Sequence, residues 1–215
     1  MKNCNTTERQ TTGGISRIAW VAALGMAFTI ALPHAAHAQS VTPPPVPANI
    51  EVPAPNAAFL VGHGVGTQNY VCQPAKSIGR VAWTLFTPQA TLFSDQGAQL
   101  TTHFFSPNPF EHNTNPAVVA PGMIRVTWQH SRDTSTVWGK VRPADPAVPG
   151  DLGDSSTDSA FVAPGAVAWL KVTATATAVG PTGGDTLTKT TFIQRLNTSG
   201  GRTVDGLCFA LILAV

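Results

Sequence analysis

Along most of this chain apolar side chains recur at every second residue, the repeat of a half-buried β-strand and not of an α-helix. Val81, Trp83 and Leu85 fall on one face; Ile124, Val126 and Trp128 fall on another, with Arg125, Thr127 and Gln129 between them. Further strands are predicted at 67–73, 99–105, 136–141, 167–179, 186–196 and 207–215, which are rich in Val, Thr, Phe and Trp. The Thr and Ala alternation from 172 to 179 suits a close-packed strand but leaves a helix open there. With 19 glycines and 18 prolines, most breaks between these runs carry a turn former. The expected fold is therefore all-β, a single-domain antiparallel β-sandwich or β-barrel with long loops.

The first 38 residues have the anatomy of a secretory signal peptide. Lys2, Arg9 and Arg17 form a basic start, 18–33 an apolar run, and Ala36-His37-Ala38 a small-x-small cleavage pattern, leaving Gln39 as the new N-terminus. The apolar run is shorter than the ~20 residues that span a bilayer, and Cys4 precedes it, where a lipid-modified cysteine would follow. The mature protein is expected in the periplasm or outside the cell, with no integral membrane span after cleavage. Its domains are then the signal at 1–38, a Pro-rich arm at 39–57 and an all-β domain at 58–215. An outer-membrane barrel is disfavoured, because a chain with a single tyrosine cannot build aromatic girdles.

Cleavage removes three of the 13 basic residues and one of the 11 acidic ones, so the mature chain is near neutral. No basic run remains to engage a phosphate backbone, which argues against nucleic acid as a partner. Two cysteines survive, Cys72 and Cys208, an even count for an oxidising compartment. They are read as one disulfide, worth about 4 to 5 kcal/mol for so long a loop on the chain-entropy model. The rival reading is a reactive or metal-binding pair of thiols.

The segment from Phe192 to Gly201, followed by Cys208, resembles the closing signature of the secreted family known as domain of unknown function 3455. Residues 62–72, with Gln68, Tyr70 and Cys72, are similar to its opening strand. His103, Trp128 with Asp133, and Trp169 agree in order with its histidine, its tryptophan before an acidic turn and its late tryptophan. The connection from 104 to 122 is longer than the family's usual one. The resemblance implies a bacterial or fungal extracellular domain and marks Gln68, Tyr70, His103, Trp128, Asp133, Trp169, Gln194, Arg195, Asn197, Gly200 and Gly201 as signature residues. It implies no established activity. Dehydrogenase chemistry is excluded separately, since Gly62-x-Gly64-x-Gly66 lacks a third glycine at dinucleotide spacing and no βαβ unit surrounds it.

No catalytic motif stands out: there is no Gly-x-Ser-x-Gly elbow and no pair of acids marked for glycosidase work. His63, His103 and His130 are the candidate ligands for a transition metal, with Glu111, Asp95 and Asp133 as carboxylate partners, although no HExxH or HxH spacing joins them. The plainer expectation is that the histidines are structural and that no cofactor is held. The loop from 142 to 165 carries Asp151, Asp154 and Asp158 without the alternate-residue pattern of an EF-hand, so a solvated loop is expected. Trp83, Trp128 and Trp169 are expected in the core, and Trp138 is the candidate for exposure. Arg195 and Asn197, beside Gly200 and Gly201, are expected to hold a turn by bonding backbone carbonyls. The functional expectation is an exported binding or cell-envelope surface module of unknown ligand, with a glycan or an envelope component as the candidate partner. The alternative is an extracytoplasmic metal-binding protein or metal-dependent enzyme.

Overall fold

The computed structural model describes residues 41–74, 80–115 and 121–201. Their strands form one antiparallel sheet: β1 (His63–Pro74), β2 (Val81–Phe93), β3 (Gln99–His112), β4 (Gly122–His130), β5 (Thr136–Lys140), β6 (Ser155–Ser156), β7 (Trp169–Ala178) and β8 (Phe192–Arg195). β1 to β5 follow one another as neighbours, and β7 then receives β5 at 173–178, β6 at 169–170 and β8 at 170–173. Leu170 partners both Ser155 and Arg195, so β6 and β8 flank β7 on opposite edges.

The sheet curls into a half-barrel. Register shifts at Asn69/Tyr70, Leu92/Phe93, Asn108/His112 and Trp138/Gly139 each add local twist and bend. The all-β, antiparallel expectation is borne out, and the Thr and Ala alternation after Val172 is strand.

Two strands run through prolines. β2 runs through Pro88, where its register with β3 has not begun, and β3 runs through Pro107 and Pro109 toward the shift at Asn108/His112. A residue without an amide donor is tolerated at such open edges and bulges. The long 104–122 connection is therefore largely strand. The run expected at 186–196 is strand only at Phe192–Arg195, because Leu187 dips into the core and turns close Asp185 to Thr188 and Leu187 to Thr190. The run at 207–215 lies outside the described residues, as do Cys208 and residues 1–40.

The two faces of β7 carry two cores, as its two-residue alternation requires. Trp169 packs with Ile50, Val162 and Ala166, bordered by Val46, Phe161 and Leu196. Val172, on the other parity, packs with Trp128, Val137 and Leu187, bordered by Leu92, Leu170 and Ile193. Ile50 is fully buried, which draws the Pro-rich arm onto the sheet. The arm is held by polar contacts as well: Asn49 Nδ2 donates to the carbonyls of Gly153 and Ser155 at 2.9 Å, and Gln194 Nε2 donates to that of Ile50 at 2.8 Å.

Within the 142–165 loop, Asp151 receives two N–H bonds from Arg142 at 2.7 and 3.0 Å and is held below the usual carboxylate range chiefly by them. Asp154 is buried, 3.5 Å from Lys171 Nζ and 3.7 Å from Arg142 Nε. Both loop acids thus anchor the loop to its base, and the expectation of a wholly solvated loop fails at Asp154.

Candidate functional site

Residues paired directly across antiparallel strands share a face. The pairs Gly66↔Ala90, Ala90↔His103, His103↔Trp128 and Trp128↔Val137 therefore trace one row across β1 to β5. A Cβ on Gly66 would run into the backbone of Gln89 and Ala90, so this end of the row admits no side chain. Ile193 and Leu170 pack against the cluster that contains Trp128, and Arg195 follows Ile193 by two residues on the same face. Tyr70 and Arg195 belong to distant members of the strand order, yet they lie near enough for an ionised Tyr70 to act on Arg195, as the two ends of a curled sheet do across its inner face. This face is the inside of the curl.

His103 is the chemical centre of that face. Its ring stacks on Trp128 with centroids 4.1 Å apart and planes 13° from parallel. Its Nδ1 lies 3.0 Å from the Thr127 carbonyl, which can only accept, so Nδ1 carries the proton and Nε2 presents a lone pair. Nε2 has no hydrogen-bond partner among the described residues. Burial drives the imidazole pKa down to about 4; the Thr127 bond opposes this and the positive charge of Arg195 adds to it. His103 is thus a neutral imidazole at any ordinary pH.

Arg195 donates from Nε and Nη2 to the Ala168 carbonyl at 3.1 and 2.7 Å, the carbonyl contact expected of it. Burial lowers its pKa, and no carboxylate among the described residues pairs with it. Four signature residues, Tyr70, His103, Trp128 and Arg195, therefore belong to one concave surface although they come from β1, β3, β4 and β8.

The remaining signature residues hold the frame. Asp133, in the β4–β5 turn, accepts from the amide and hydroxyl of Ser135 at 2.9 and 2.7 Å and from those of Thr186 at 3.0 and 2.6 Å. Trp169 is core, with Phe161 edge-on at 6.1 Å. Gln194 ties down the arm. Asn197, Gly200 and Gly201 have φ of 52°, 65° and 80°, the left-handed region that favours these residue types, and Gly201 bridges to Ala166. Gln68, on β1, pairs with Pro88 of β2.

The three histidines proposed as metal ligands do not meet. His63 is exposed, with Nε2 2.6 Å from Asp95 Oδ1. His130 is buried, with Nδ1 3.0 Å from Asp133 Oδ1. His103 is stacked on Trp128. Among the described residues no three His, Cys, Asp or Glu side chains gather around one point. The tryptophan expectations are also partly reversed. Trp138 is buried, its Nε1 donating to Ser106 Oγ at 2.9 Å, whereas Trp83 is 46% exposed on the stretch of β2 that β3 does not pair.

Glu111, a candidate carboxylate partner for a metal, instead belongs to a polar cluster whose pairing had no signal in the sequence. Glu111 and Arg125 form a two-pronged pair at 2.7 and 2.9 Å, and fully buried Asn108 donates to Glu111 at 2.7 Å and to Thr175 at 3.2 Å. Bonds from Arg125, then Asn108 and Thr175, outweigh burial and bring the Glu111 pKa down to about 2. A carboxylate depressed in the folded state stabilises above its unfolded pKa near 4.5, and that contribution is lost as pH falls toward about 2. Glu111→Gln should flatten the decline of melting temperature between those values; a decline as steep as the parent's would show that the pair is not its source.

A family model described as protein of unknown function (DUF3455) matches residues 53–210. No curated protein and no solved structure matches the chain.

Proposed function

The chain belongs to the DUF3455 family of proteins of unknown function, and we propose that it is an exported binding module whose ligand sits on the concave face around His103. One observation carries this reading: on the face that β1 to β5 and β8 share, a neutral imidazole is clamped by a stack and a carbonyl bond while its Nε2 has no hydrogen-bond partner among the described residues. A purely structural histidine has no need of an unpartnered acceptor, whereas a binding site lined by apolar groups with a few fixed polar ones does. Export is supported by the signal-like opening and the cleavage pattern at Ala38. A Cys72–Cys208 disulfide is supported by the even cysteine count after cleavage and by a Cys72 sulfur that is engaged and not free. The ligand class suggested by location is an envelope component or glycan. No helix among the described residues is long and apolar enough to cross a membrane.

The test is amide NMR of the isotope-labelled mature protein titrated with fractionated envelope extract. Shifts concentrated at Tyr70, His103, Trp128 and Arg195 are expected. Binding that maps instead to the exposed face, or no shift with any fraction, contradicts the proposal.

A further inference from the structure

Resting on that reading, we propose that the ligand carries a carboxylate and that Arg195 receives it as a two-pronged donor, with His103 Nε2 accepting a hydrogen bond from a neighbouring hydroxyl or amide of the same ligand. The argument begins with the donors of the guanidinium, five N–H groups in a fixed plane. Two of them, on Nε and Nη2, converge on the Ala168 carbonyl. That leaves both hydrogens of Nη1 and one of Nη2, the end-on fork whose spacing matches the two oxygens of a carboxylate. The fork is rigidly aimed, because the Ala168 bonds fix the plane and Arg195 is clamped by the pairing of β8 to β7 at Leu170.

Charge points the same way. A half-buried cation without a carboxylate partner is costly, and protein interiors ordinarily pair such a group. The six ion pairs of the described residues engage Arg125, Arg142, Lys171 and two histidines, but not Arg195. Its polar neighbours on that face are Tyr70 and the neutral His103 imidazole. Among the described residues, an anion entering there meets the Arg195 charge and no carboxylate paired with it. Apolar Leu170 and Ile193 beside it limit water, which strengthens the pairing.

The experiment titrates the mature protein with succinate, with its neutral diamide succinamide and with inorganic phosphate, followed by NMR shifts of Arg195, Tyr70 and His103. Saturable shifts are expected with succinate, with affinity at least ten-fold weaker for succinamide and for phosphate, and a loss of ten-fold or more for succinate in Arg195→Gln. Arg195→Lys keeps the charge but not the fork, so it should weaken succinate too and serves if the glutamine variant does not fold. Equal binding of succinamide, preference for phosphate, or unchanged affinity in the variants overturns the carboxylate assignment. Envelope fractions that shift the concave face while succinate does not would sink this inference and leave the binding-module reading intact. Failure of both would remove the two together.

Discussion

Replacing Asp133 with alanine is expected to cost about 3 to 5 kcal/mol and to lower the melting temperature by roughly 10 °C, the largest effect of any single acid among the described residues. Its two oxygens accept four hydrogen bonds, two from Ser135 and two from Thr186, joining the β4–β5 turn to the segment that leads into β8. Desolvation pushes its pKa up, but those bonds from Thr186 and Ser135 prevail and hold it below the usual carboxylate range. Ser135 is fully buried, so removing the acceptor strands its amide, while its hydroxyl keeps a bond to the Leu187 amide at 3.1 Å. Gly184 approaches so closely that a Cβ there would strike Asp133, which leaves little room for another side chain to rearrange. Asp133→Asn keeps an acceptor oxygen for only one of the two partners, Ser135 or Thr186, and should fall between parent and alanine variant. Thermal denaturation at neutral pH decides the matter: a change under about 1 kcal/mol would show that the turn does not depend on its carboxylate.

Trp128→Ala comes second, with an expected loss of about 3 to 5 kcal/mol from a large core side chain. Trp128 sits in the cluster with Val137, Val172 and Leu187 and also forms the floor under His103. Removing it lets water reach the imidazole, so the His103 pKa should rise from about 4 toward its ordinary value near 6.5. The neutral form is favoured in the folded state. His103 therefore stabilises fully above pH 6.5 and loses that contribution as pH falls from 6.5 through about 4. In the alanine variant that acid-sensitive window should narrow. If stability drops but the imidazole still titrates near 4, the stack is not what shields it.

How much of this could be read before the fold was seen depends on the range of each interaction. Strand identity follows from a period of two, so β1, β2, β4 and β7 are legible from Tyr70, Trp83, Trp128 and Val172 and their neighbours. Strand length is less so. Pro88 and Pro107 do not end their strands: Pro88 lies before β2 begins to pair with β3, and Pro107 lies just before the shift at Asn108/His112. The fate of Trp83 and Trp138 depends on which strand lies alongside, and local apolarity pointed to the wrong one of the two. The turn around Asn197, Gly200 and Gly201 was visible because positive φ selects residue type. The site was visible only in pieces. Tyr70, His103, Trp128 and Arg195 could each be marked from resemblance, but nothing in their spacing says that a curled sheet faces them toward one surface. The same holds for Glu111 and Arg125, whose pairing depends on the register shift between Asn108 and His112. The proposed histidine ligands failed to meet for the converse reason: His63, at the start of β1, and His130, at the end of β4, each have a nearer carboxylate partner.

The measurement that bears most directly on the concave face as a binding site is the imidazole nitrogen spectrum of His103 in the ligand-free mature protein, recorded from pH 7.5 to 3. The geometry requires a protonated Nδ1 and an unprotonated Nε2, and burial is expected to bring the titration midpoint down to about 4. An imidazole that titrates near 6.5, or one that carries its proton on Nε2, would mean that His103 does not offer a fixed acceptor to that face, and the functional reading built on it would fall.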